Sequence, residues 1–125
     1  MPHFNVHMFE ESLDGVVEGA TIRALTDAVV AVYGERARPL AVVEILGVPR
    51  SRWGIGGAPA ADHRPIVTLN MREPALHRVD DAPGRLIAAI TDAMAGVLGD
   101  SVRDDLAVTI VGIPTGRSGV AGEPV

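Results

Sequence analysis

Hydrophobic residues follow two kinds of pattern along this chain, and the two alternate in the same order twice. From His3 to Met8 the pattern alternates: Phe4, Val6 and Met8 point one way and His3, Asn5 and His7 the other, as in a strand with one buried face. Ile22, Leu25, Val29 and Val32 then recur at helical steps, which predicts an amphipathic helix stopped by Gly34. Leu40 to Val48 is a dense β-branched run that reads as a buried strand, ended by Pro49. The second pass repeats the first. Ile66 to Met71 alternates, Leu86, Ile90, Met94 and Val97 predict a helix up to Gly99, and Leu106 to Ile113 is again a buried-strand run, ended by Pro114.

The recurrence extends to residue identity. Ile22 to Gly34 (IRALTDAVVAVYG) is echoed by Ile87 to Gly99 (IAAITDAMAGVLG), Pro2 to Met8 by Pro65 to Met71, and Pro49 to Pro59 by Pro114 to Pro124. The chain therefore reads as one domain made of two diverged copies of a single unit, approximately 1–60 and 64–125. A strand, a crossover helix and a second strand form a right-handed parallel unit. Two such units predict an α/β (α+β) fold, a four-stranded mixed sheet with two helices on one face. The other face has nothing in the chain to cover it, so subunits are expected to pack their sheets together.

Composition removes several function classes. The 125 residues suit one compact core, and there is no cysteine, which excludes disulfides, thiolate metal sites and a cysteine nucleophile. The formal charge is −5, and all 11 basic residues are arginine, so nucleic acid is not the expected partner. No apolar run approaches the ~20 residues of a membrane span, and MPHFNVHMFEE is not a signal peptide. The expected location is cytoplasmic, away from any membrane.

Pro2 directly follows Met1, and loss of Met1 leaves a secondary amine at the mouth of a strand. Burial or a neighbouring cation lowers the pKa of such an amine, which then serves as a general base near neutral pH. Pro65, the repeat counterpart, is an ordinary amide inside the chain. Only the first copy can supply this group.

An N-terminal proline after Met1, a strand–helix–strand unit and a closing Val48-Pro49-x-x-x-Trp53-Gly54-Ile55-Gly56-Gly57 together resemble the tautomerase superfamily, in its fused two-unit, trimeric form. That resemblance implies a cofactor-independent isomerase and a homotrimer. It also implies Pro2 as catalytic base or acid in a small pocket, and a small-molecule carboxylate substrate held by arginine. Arg72 matches an arginine of the decarboxylase and dehalogenase branches and is the implied carboxylate ligand. Trp53 stands where the short members carry an aromatic wall. Their two substrate arginines fall on Ser12 and Val42 here, which favours a monoacid or aryl-substituted substrate over a dicarboxylate. The decarboxylase aspartate falls on Pro39, and no carboxylate lies between Asp105 and Glu123 to match the dehalogenase glutamate.

Arg50 and Arg52 flank Trp53 and are candidate substrate ligands across a subunit boundary, or else rim charges. Glu44 interrupts an apolar strand and is expected to pair with an arginine of another subunit or to polarise the Pro2 site. His3 and His7 stand ~13 Å apart along one strand, too far for one metal ion. Gly54 to Gly57 lacks the ending of a phosphate loop, and Gly116 to Val120 lacks the setting of a nucleophile elbow. The reading is keto–enol or dienol tautomerisation of a small 2-oxo acid. Decarboxylation or hydration on the same scaffold and a non-catalytic trimeric binding protein are the alternatives.

Overall fold

The computed structural model describes residues 1–125. Four long strands, β1 (His3–Phe9), β2 (Val42–Val48), β5 (Ile66–Arg72) and β6 (Ala107–Ile113), form one sheet in the order β2-β1-β5-β6. β1 and β2 are parallel, as are β5 and β6, while β1 and β5 meet antiparallel at the centre. The helices α1 (Val17–Tyr33) and α3 (Ala82–Leu98) cross the same face, and a single turn, α2 (Glu73–Leu76), follows β5. Each outer strand leads into a small hairpin, β3 (Gly54–Ile55) with β4 (Ala58–Pro59), and β7 (Gly119–Val120) with β8 (Glu123–Pro124).

The alternation read from β1 holds: Phe4, Val6 and Met8 are fully buried under the helices, as are Val67 and Leu69 of β5. Asp14 starts α1 by accepting the backbone N–H groups of Val16 and Val17 on Oδ1 at 2.8 and 2.9 Å, which holds its carboxyl below the usual range. Gly34 and Gly99 end the two long helices at φ 91° and 102°, in the left-handed region open to glycine.

Three expectations need correction. Ile22 is 43% exposed: Leu25 and Val29 of the predicted stripe are buried, but the helix turns Thr21 and Ala28 toward the sheet rather than Ile22. Val97 is only half-buried, in the groove between α1 and α3. β2 and β6 are edge strands whose residues are half-buried or exposed, since nothing in the chain covers their outer edges or the open sheet face. Glu44 is accordingly an exposed residue of that face, bonded to Nε2 of His3.

Candidate active site

In a β-α-β unit the helix runs back against its strands, so the end of α1 returns to the start of β1. Tyr33 and Arg36 therefore stand beside Pro2. β5 runs antiparallel to β1 with Asn70 opposite His3, which carries its last residue, Arg72, to Met1. α2 then turns the chain over the helix face and delivers Arg78. The Glu73 carboxylate at the start of α2 lies over Gly112, in the space that a Cβ there would take. Tyr33 pins the turn from the other side, its hydroxyl donating to the carbonyl of Ala75 at 3.0 Å.

Two cavities meet at Met1. One, of about 220 Å³, lies on the helix face and is lined by Pro2, Tyr33, Arg36, Met71, Ala75 and Arg78 among others. The second, of about 320 Å³, lies at the open face, where His3, Asn70, Arg72, Ile113, Ser118 and Val120 line it. Neither has an acidic side chain in its wall. Arg36, Arg72 and Arg78 take part in none of the chain's ion pairs, whereas Arg38, Arg50, Arg64 and Arg103 each have a carboxylate partner. Three unpaired guanidiniums around one strand end, in a chain of charge −5, make a local anion site. The terminal amine, that of Met1, feels this directly: burial first, then Arg72, then Arg78, holds its pKa below the ordinary value. Burial also raises the pKa of Tyr33, and Arg78 opposes that shift.

A larger groove, of about 520 Å³, separates α1 from α3. It is walled by alanines, and its two carboxylates, Asp27 and Asp92, are tied to Arg38 and Arg103 at 2.8 and 2.6 Å, so it offers no free chemical group. No three histidine or acidic side chains converge as metal ligands.

Of the residues singled out in the sequence, Pro2 and Arg72 come together at this end of the sheet. Trp53, Arg50 and Arg52 do not join them within one chain. Trp53 packs edge-on against Phe9, at 5.1 Å between ring centres, at the far end of a strand that spans ~20 Å. Arg50 lies over the Phe9 ring and donates to Glu11 at 2.6 Å and to the carbonyl of Ala60 at 3.2 Å. Arg52 lines a shallow cavity with His7 and Trp53 at that same end. Tyr33, Arg36, Arg78 and Ser118 were missed. The signal for the first two was the crossover geometry, which fixes where the end of α1 must lie.

These elements define an α+β fold of two β-α-β units with a cationic cavity at the start of the first strand. The sequence matches no family model and no curated protein. Among solved structures it is similar to native fused 4-OT, with 25% identity and a TM-score of 0.84 over 98% of this chain and 94% of that one. A fused 4-OT wild-type asymmetric trimer matches at 22% identity, TM-score 0.84, over 98% and 94%. Pt0534, in a structure inactivated by 2-oxo-3-pentynoate, matches at 18% identity, TM-score 0.83, over 98% and 95%. The chain is built on the fold of the tautomerase superfamily, in its fused two-unit form.

Proposed function

We propose that this protein is a tautomerase of a small 2-oxo acid, in which the amine of Pro2, exposed by loss of Met1, carries the proton. The observation that supports this most is the convergence of Arg36, Arg72 and Arg78, all without carboxylate partners, on the two cavities that meet at Met1, the residue whose loss exposes the amine of Pro2. The field that lowers the Met1 amine then acts on Pro2 and favours the free base. The amine takes the enol O–H proton, becoming an ammonium and leaving an enolate oxyanion. The oxygen lone pair then closes to a carbonyl as the carbon–carbon π pair takes the proton back from the ammonium at its terminal carbon. Arg72 holds the substrate carboxylate, and Arg36 and Arg78 stabilise the oxyanion between the two transfers. Arg36 and Arg78 restore the charge missing at Ser12 and Val42, so those two positions no longer argue against a dicarboxylate.

The working unit in this reading is a homotrimer. The exposed apolar residues Val42, Leu46, Ile66 and Val111 on the open sheet face, and the two unpaired sheet edges, support burial against other copies. Trp53 and Arg52 enter the chemistry only if such packing brings them to a neighbour's Pro2, while Arg50 already spends its donors at home.

The test is ultraviolet-monitored ketonisation of phenylenolpyruvate by protein whose intact mass shows loss of Met1, beside Pro2→Ala. Loss of about 100-fold or more in kcat/KM is expected for the variant. Equal activity in both proteins rules the amine out as catalyst.

A further inference from the structure

His3 follows Pro2 directly and stands on the open face of β1, in the wall of the cavity of about 320 Å³. Its register partner on β2 is Val42, so Glu44 lies two residues further along the same face and reaches the ring diagonally. The Glu44 carboxylate bonds Nε2 of His3. An ionised carboxylate can only accept, so Nε2 carries the ring hydrogen and the neutral ring keeps its lone pair on Nδ1. Asn70 steadies the strand beside it, donating from Nδ2 to the carbonyl of His3 at 3.3 Å.

The pair is set apart by its surroundings and by the repeat. Across both cavities at Met1, His3 is the one side chain that can take a proton near neutral pH: Arg36, Arg72 and Arg78 stay charged, and Tyr33 is a neutral phenol whose pKa burial raises further. In the second unit Ile66 faces Ala107 as His3 faces Val42, and Thr109 stands where Glu44 stands. The half whose proline is an ordinary amide therefore has neither member of the pair.

We infer that His3 is a second base of this site, held in its working tautomer by Glu44, and that it carries the substrate proton when the terminal amine cannot. The reaction it serves is that of the tautomerase reading, whereas the pairing of the ring stands without it. Nδ1 takes the enol O–H proton with its lone pair, leaving an enolate, and the ring becomes an imidazolium still bonded to Glu44. The oxygen lone pair then closes to a carbonyl as the carbon–carbon π pair takes the proton back from Nδ1 at its terminal carbon. Glu44 touches no reacting atom and is a positioning residue, since it decides which ring nitrogen is free.

The chain has no lysine, so acetylation with an N-hydroxysuccinimide ester, checked by intact mass, blocks the terminal amine alone. His3→Gln is expected to lower kcat/KM for phenylenolpyruvate less than about 3-fold where the amine is free, and about 100-fold where it is acetylated. Pro2→Ala gives the same comparison with no added group in the cavity. Glu44→Gln, whose amide donates as well as accepts, lets the ring take either tautomer, and it is expected to slow the acetylated protein only while His3 is present. Nitrogen-15 spectra of the His3 imidazole read the tautomer without turnover: hydrogen on Nε2 in the wild type, a mixture in Glu44→Gln. No loss in His3→Gln once the amine is blocked, or equal losses with and without the block, overturns the inference, as does a wild-type ring with its hydrogen on Nδ1. If acetylation leaves the rate unchanged and His3→Gln alone abolishes it, the imidazole is the sole base, and the reading of Pro2 as proton carrier falls instead.

Discussion

The two ends of the central strand pair are built from the same unit and have diverged in opposite directions. At the Pro65 end, Phe9, Trp53 and His63 form a cluster of rings, with Phe9 and His63 at 5.2 Å between centres and Arg50 over the Phe9 face. His63 is held below its ordinary pKa by burial and then by Arg50, and its Nε2 has no partner. At the Pro2 end the mates of Phe9 and Trp53 are Arg72 and Ser118, and the same region is a cationic cavity. The helices did not diverge in this way. Arg38 clamps Asp27 and Glu35 in the first unit, and Arg103 clamps Asp92 and Asp100 in the second, at matching positions. Exposed pairs of this kind add little stability. Their survival in both halves shows that the scaffold is shared while the strand ends are not: one is packed with rings, the other left open with unpaired charge.

If that contrast is right, truncation at the two ends has different consequences. Arg72→Ala is expected to leave the melting temperature within a degree or two and to lower kcat/KM about 1,000-fold, since it removes a preorganised cation from a developing charge. Trp53→Ala is expected to cost about 2 kcal/mol by urea denaturation, less than a fully buried tryptophan because Trp53 is only half-buried. A kinetic pH profile of Trp53→Ala adds a second reading. A displaced acid limb places Trp53 against the amine of a neighbouring subunit, whereas a loss of stability alone keeps it in the ring cluster.

The electrostatic half of the contrast is tested through Arg78. Burial, Arg72 and Arg78 all hold the Met1 amine below its ordinary pKa, and in the proposed mechanism the same surroundings act on the amine of Pro2. A base works only when free, so the rate rises with pH through that pKa and levels above it. Removing Arg78 removes a lowering influence, the amine pKa rises, and the acid limb of kcat/KM moves to higher pH. An unmoved limb in Arg78→Ala, or one moved to lower pH, would show that the amine does not titrate in this field.

The fold was legible because its cause is local and repeated. Alternation in β1 and β5, glycine stops after two helices and proline stops after two strands dictate the β-α-β unit wherever it occurs. The site was legible only in part. Pro2 and Arg72 sit on the strands whose register the alternation fixes. Arg78 reaches the cavity through α2, a single turn with no periodic signal of its own, and Ser118 matters only beside its mate across the sheet. Trp53 read as a site wall because its motif matched, yet the hairpin that carries it closes the other end of the sheet. Glu44 looked buried because its neighbours are apolar, but β2 is an edge strand and one chain supplies nothing to cover its open face.

The smallest effect concerns the core beneath both ends. Thr21 is fully buried on the sheet-facing side of α1, and its Oγ1 has no hydrogen-bond partner. Other threonines in these helices behave differently: Thr26 and Thr91 donate to the carbonyls of Ile22 and Ile87 at 2.8 and 2.7 Å. The repeat places Leu86, also fully buried, where Thr21 stands in the first unit, so an apolar side chain is tolerated at this position of the fold. An unpartnered buried hydroxyl carries a desolvation penalty that an isosteric methyl does not. Thr21→Val is therefore expected to stabilise the protein by about 1 kcal/mol in urea denaturation, with kcat/KM unchanged because α1 meets the site only at Tyr33, at its other end. Destabilisation would mean that the hydroxyl is satisfied in solution by an internal water, and that the first unit keeps a polar group in its core where the second has none.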